Sequence, residues 1–136
     1  MTPSYELSAE GRRILIVDDE PDNRELLQIV LTWDGFATQT AASGEEALAS
    51  AVEHPPDLVL LDLMMPGLDG CQVTTLMKQN LVTKNIPVMI ISAMNDRATK
   101  LRVLSAGAAE FISKPIDRSD LCARVRAVLG PKAAPA

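Results

Sequence analysis

The 136-residue chain is 47% hydrophobic with a formal net charge of −5, enough apolar material for one compact domain and too little length for two ordinary ones. The acidic balance argues against nucleic acid as a direct partner, and no apolar run approaches the roughly 18 residues of a membrane span. The opening MTPSYELSAEGRR lacks the charged-then-apolar pattern of a signal peptide, so a cytoplasmic protein without membrane contact is expected.

In chain order, the first element is RILIV (residues 13–17), an apolar run too short for a helix, which predicts a strand buried on both faces of a parallel sheet. Pro21 suits the first turn of a helix carrying Leu26, Leu27, Val30 and Leu31, which Gly35 stops. FATQT (36–40) is a weaker strand candidate. Ser43 and Glu46 read as a capping box that opens a helix with Ala47, Leu48, Ala51 and Val52 on one face. His54, in HPPD, reads as a loop residue. LVLL (58–61) and PVMII (87–91) are further buried strands, separated by a helix with Val73, Leu76 and Met77. Leu101 and Leu104 mark a helix ending near Gly107, EFIS (110–113) a weaker strand, and Leu121, Val125, Val128 and Leu129 a last helix ending at Gly130. Cys71 and Cys122 fall on separate helices, which indicates plain thiols and neither a disulfide framework nor a metal knuckle.

Five strand-then-helix units predict an α/β, doubly wound parallel sheet in one domain over residues 12–129. Residues 1–11 read as an N-terminal extension and GPKAAPA (130–136) as a tail or the start of a linker. The charge is uneven: residues 1–95 hold 14 acids and 5 bases, whereas residues 96–136 hold 4 acids and 8 bases. The basic last third, with Arg97, Lys100, Arg124 and Arg126, is a candidate docking face.

Sheets of this kind bind ligands beyond the carboxyl ends of their strands. There stand Asp18, Asp19 and Glu20 after the first strand, Asp62 after the third, Ser92 at the end of the fourth, and Lys114 with Pro115 past the fifth. Neighbouring strands lie about 4.8 Å apart, so these carboxylates share one site and repel unless a cation compensates them. Oxygen ligands alone favour Mg²⁺, which brings phosphoryl oxygens up to carboxylates that otherwise repel them. Asp62 is then a candidate nucleophile forming an aspartyl phosphate, with Ser92 and Lys114 contacting the phosphoryl oxygens. Met64 and Met94 flank the site by position.

VDDE (17–20), DLVLLDLMMPGLDG (57–70), PVMIISA (87–93) and EFISKP (110–115) together resemble the receiver domain of bacterial two-component response regulators, from about Arg12 to Leu129. The resemblance implies a flavodoxin-like sheet of order 2-1-3-4-5 and a phosphoacceptor switch, limited to self-phosphotransfer and slow autodephosphorylation. Asp62 is then the acceptor, and Asp18, Asp19, Asp62 and the Met64 backbone carbonyl are the ligands of Mg²⁺, for which Mn²⁺ or Ca²⁺ can substitute. Ser92 matches the switch hydroxyl, Lys114 the phosphoryl-contacting lysine, Pro115 the proline after a cis bond, and Phe111 the switch aromatic. Many relatives carry Thr and Tyr where this chain has Ser92 and Phe111, so an output contact that needs the tyrosine hydroxyl is in doubt. The implied partners are a sensor histidine kinase or histidine phosphotransfer protein and an output protein or fused output domain reached through residues 95–126. Glu110 and Arg124 partly match cross-dimer salt-bridge positions, which allows a weak homodimer.

Other classes fit less well. A haloacid-dehalogenase-type phosphatase needs Asp-x-Asp where this chain has Asp62-Leu63-Met64, and a flavodoxin-like cofactor binder needs Ser, Thr and Gly amides where it has Asp18, Asp19 and Glu20. A receiver-like docking scaffold without phosphorylation leaves the full set of site residues without a purpose.

Overall fold

The structure, a computed structural model, describes residues 11–130; the expected extension up to residue 10 and the tail from residue 131 lie outside the described residues. Five strands alternate with five helices: β1 (Arg13–Val17), α1 (Pro21–Trp33), β2 (Ala37–Ala41), α2 (Gly44–Glu53), β3 (Leu58–Asp62), α3 (Gly70–Gln79), β4 (Val88–Ser92), α4 (Arg97–Ser105), β5 (Glu110–Ser113) and α5 (Arg118–Leu129). All strand pairs are parallel and the sheet order is β2-β1-β3-β4-β5, the order the resemblance implies.

The continuous apolar runs become strands buried on both faces, and alternation of period two divides their side chains between two cores. Leu15, Val17, Val59, Leu61, Val88 and Ile90 pack with residues of α2, α3 and α4. Ile14, Ile16, Leu58, Leu60, Met89, Ile91 and Ile112 pack with Leu27 and Leu31 of α1 and Leu121 and Val125 of α5. The edge strand β2 buries only its last residue fully, which explains its weaker apolar signal. It runs over 37–41, one residue later than FATQT suggests: Phe36 donates its N–H to Leu31 O at 3.1 Å and seals the α1/α5 core. β4 likewise begins after Pro87, which has no N–H to give.

Local chemistry sets the helix ends. Gly35 (φ 98) and Gly107 (φ 110) follow α1 and α4 in the left-handed region that other residues avoid. Ser43 Oγ accepts the Glu46 N–H at 3.1 Å, but the Glu46 carboxylate accepts from the Ala42 N–H at 3.2 Å, one residue short of a reciprocal box. The complete capping box is at α3, where Asp69 and Gln72 exchange bonds of 2.9 Å.

Some apolar positions face outward. Adjacent helical residues point about 100° apart, so of Leu26 and Leu27 only the second is buried. On α4 the buried residues are Thr99 and Val103, and the expected pair Leu101 and Leu104 is exposed. His54 lies in the turn after α2 with its side chain in solvent. Cys71 and Cys122 are free thiols, and burial pushes both above the ordinary thiol range. No helix among the described residues is long and apolar enough to cross a membrane. At the amino edge of the sheet, Arg12 Nη1 donates to Gly130 O at 2.9 Å, so the two ends of the described chain meet there.

Gly44 opens α2 where α3 and the β3–α3 loop come close. A methyl group there would sit 2.7 Å from Val73 Cγ2 and 2.8 Å from Leu68 Cβ. Glycine to alanine ordinarily favours a helix. Gly44→Ala is expected to do the opposite, lowering stability by about 2 kcal/mol through overpacking, read as a lower urea midpoint at unchanged slope.

Candidate functional site

Parallel register brings the chemistry-bearing residues to one edge. Val17 pairs with both Ala41 and Leu61, Asp62 with Ile91, and Ser92 with Ser113. The residues that follow these positions therefore emerge side by side at the carboxyl ends of β1, β3, β4 and β5.

Asp18 is buried and fixed through three of its groups. Its N–H donates to Ala41 O at 3.2 Å, its Oδ1 accepts the Glu20 N–H at 2.9 Å, and its carbonyl accepts from Arg24 Nη1 at 2.8 Å. Asp19 is exposed. Asp62, the last residue of β3, is 7% exposed. One carboxylate oxygen from each of Asp18, Asp19 and Asp62 lies within 4.8 Å of the others. The Lys114 ammonium stands 3.3 Å from Asp62 Oδ1, its backbone N–H donates to Ser92 O at 2.9 Å, and the Lys114–Pro115 bond is cis.

The loop that carries Asp62 is tied down on both sides. Leu63 N–H donates to Ile91 O and Gly70 N–H to Leu63 O, each at 2.9 Å. A side chain on Gly70 would lie 2.9 Å from Leu63 Cα and 3.0 Å from Asp62 O, so only glycine lets α3 start against the backbone of Asp62. Residues 67–70 read GLDG, and Asp69 with Gln72 carries the D-x-x-Q capping signature that marks where this helix starts.

The remaining candidates surround this centre. Ser92 is buried and its Oγ accepts the Met94 N–H at 2.9 Å. Met64 and Met94 are exposed. Phe111 is buried on the α3/α4 side of β5, with Lys100 Nζ 5.8 Å from its ring centre. Glu110 and Arg124 pair within the chain at 3.2 Å, and Arg124 also holds Asp120 at 3.1 Å and Phe111 O at 3.2 Å. Arg126 does not share the face of Arg124: it points to α1, bonding Asp34 at 2.9 Å and lying 5.5 Å from the Phe36 ring centre.

Among the described residues three carboxylates face one ammonium, that of Lys114, and Asp62 bears the conflict. Burial is the main cause that raises its carboxyl above the ordinary range; Lys114 opposes the rise, while Asp18 and Asp19 add to it. Clustered oxygen donors without nitrogen or sulfur suit a hard divalent ion such as Mg²⁺, and such a charge relieves the repulsion. The residues present fit that ion.

The family model for the response regulator receiver domain matches residues 14–126. The response regulator PleD of Caulobacter vibrioides is 44% identical over 116 residues, covering 85% of this chain and 26% of that protein. The DNA-binding response regulator MtrA of Mycolicibacterium smegmatis is 40% identical over 118 residues, covering 87% of this chain and 50% of that protein. The chain thus spans about a quarter to a half of the length of these relatives. Among solved structures, the signal receiver domain of a signal transduction histidine kinase from Syntrophus aciditrophicus matches with TM-score 0.81 and 32% identity, covering 88% of this chain and 90% of that one. The chemotaxis protein CheY4 of Vibrio cholerae matches with TM-score 0.82 and 26% identity, covering 86% and 98%.

Because the fold favours the protonated Asp62, the stability linked to this group is intact below the ordinary carboxylate range near about pH 3.9 and is lost as pH rises through the elevated value. Asp62→Asn, measured without divalent ions, is therefore expected to raise the thermal midpoint at pH 7 by about 4 °C, the shift that ~1 kcal/mol gives a domain of this size. The gain should vanish on acidification; a variant that melts lower than the parent at pH 7 contradicts this electrostatic account.

Proposed function

The chain belongs to the response regulator receiver domain family of two-component signalling proteins, and on that premise we propose that it is a phosphoacceptor switch whose acceptor is Asp62. The observation that carries this reading is the position of Asp62: buried at a strand end, 3.3 Å from the Lys114 ammonium, with two further carboxylates at metal-sharing distance.

The donor is a phosphohistidine of a sensor kinase or histidine phosphotransfer protein. An Asp62 carboxylate oxygen attacks phosphorus in line, the phosphorus–nitrogen bond breaks, and the imidazole leaves with its electron pair and takes up a proton. Asp18, Asp19, Asp62 and the Met64 carbonyl are the groups that would hold Mg²⁺. Bound there, the ion would supply positive charge to offset that of the phosphoryl oxygens and the carboxylates. Lys114 contacts one phosphoryl oxygen as a point charge, and the Ser92 hydroxyl turns to bond another.

Phosphorylation adds roughly two negative charges, which draw Ser92 and let Phe111 repack beneath α4. The responding surface is α4, β5 and α5, where Lys100, Leu104, Glu110, Phe111, Asp120 and Arg124 line a hollow of 370 Å³. Coupling between such sites is typically about 1–3 kcal/mol, whereas inverting a 1:99 population takes roughly 5.5. The switch therefore shifts populations partially until an output protein or fused output domain selects the active form. A cross-dimer contact of Glu110 and Arg124 would first have to open their pairing within the chain, which keeps any homodimer weak. The setting is cytoplasmic, with no direct contact to nucleic acid or membrane.

Intact-mass spectrometry after incubation with Mg²⁺ and acetyl phosphate tests the assignment. One added phosphoryl group is expected on the parent protein and none on Asp62→Asn, and chelation of the metal should suppress the addition. Equal labelling of the two proteins would place the acceptor elsewhere.

A further inference from the structure

Helices α2, α3, α4 and α5 each start under a side-chain cap, supplied by Ser43, Asp69, Asp96 and Asp117. Helix α1 does not: its N-cap residue, Glu20, makes no side-chain cap bond. The turn that carries the acidic pair therefore lacks the device that orders the other helix starts. In its place a tie runs back from the residue that closes the first turn of the helix, where Arg24 Nη1 donates to the Asp18 carbonyl at 2.8 Å.

That carbonyl belongs to the peptide unit joining Asp18 to Asp19. Fixing it fixes the positions of the Asp19 N and Cα, and the Glu20 N–H bond to Asp18 Oδ1 on the far side of Asp19 restricts the φ and ψ from which its side chain departs. Asp18 has other anchors, through its N–H to Ala41 O and its carboxylate to the Glu20 N–H. Asp19 makes no hydrogen bond or ion pair of its own among the described residues, yet its carboxylate lies within 4.8 Å of those of Asp18 and Asp62.

We propose that Arg24 is a positioning residue for the metal-facing turn: by holding the Asp18–Asp19 peptide it aims Asp19 at Asp62. The proposal rests on the reading of the acidic cluster as a divalent-ion site. A guanidinium bonded to the acidic turn also carries a charge, and the electrostatic and positioning effects predict opposite signs. As a charge, Arg24 repels an incoming divalent ion, so its removal would tighten binding. As a positioning group, it preorganises the ligands, so its removal weakens binding, by about tenfold as for other residues that orient metal ligands.

The test is a calorimetric titration of the full chain with Mg²⁺ for the parent, Arg24→Ala and Arg24→Lys, together with amide hydrogen exchange at Glu20 and Asp19 in the metal-free proteins. Weakening of about tenfold in Arg24→Ala, a smaller loss in Arg24→Lys, and faster exchange at Glu20 in Arg24→Ala are expected. Equal or tighter Mg²⁺ binding by Arg24→Ala overturns the proposal. Should Arg24→Ala not fold, Arg24→Lys carries the comparison alone, since it keeps the charge and changes only the geometry; binding equal to the parent then counts against positioning. If the parent takes up no Mg²⁺, the metal-site reading fails, and exchange at Glu20 decides the positioning claim separately: faster in the variant supports it, unchanged exchange refutes it.

Discussion

Like charges have been brought together out of water, and the rest of the molecule is arranged to hold them there. Asp18 and Asp62 are nearly inaccessible, Asp19 stands beside them, and among the described residues only the Lys114 ammonium pairs with one of these carboxylates. The Asp18 carboxylate holds the Glu20 N–H and Asp62 holds Lys114, but the repulsion among the three acids works against their assembly. The work falls to the apolar strands behind them, whose parallel register sets the spacing of the acids, and to backbone bonds that pin each strand exit: Asp18 to Ala41, Leu63 to Ile91, Lys114 to Ser92. A site of this kind is electrostatically loaded in advance, so the arrival of a cation or a phosphoryl group changes the balance without requiring the scaffold to be rebuilt.

The sheet was readable from the chain because its signal is local. RILIV, LVLL and PVMII are buried on both faces, and period-two alternation assigns their side chains to two cores. The acids and the serine were readable at the strand ends because each follows such a run, whereas the lysine follows the weaker strand EFIS. Features created by packing were less accessible. Nothing near Leu101 or Leu104 says that α4 turns them outward and buries Thr99 and Val103. The steric demands at Gly44 and Gly70 come from Val73, Leu68 and the backbone of Asp62, and periodicity does not encode which helix lies within 3 Å of another element. The Arg24 tie spans six residues, but an arginine on an amphipathic helix carries no mark that its target is a carbonyl rather than water.

The charge asymmetry shows the same limit. Residues 96–136 are basic as a segment, but the segment is not a face. Arg124 is engaged with Glu110, Asp120 and the Phe111 carbonyl, while Arg126, two residues along, crosses to Asp34 and Phe36 beside α1. The cationic surface next to Phe111 is consequently supplied by α4, where Arg97 and Lys100 are exposed. A partner that recognises this surface by charge reads α4 first.

The bond between Arg12 and Gly130 has a bearing on how such a unit is used. It gathers both ends of the described chain at the floor of the sheet, on the side away from Asp62. The described chain thus enters and leaves at the end of the sheet opposite the acidic cluster. Within the described residues the fold is built like a plug, with both leads at its base and the acidic cluster at the opposite end.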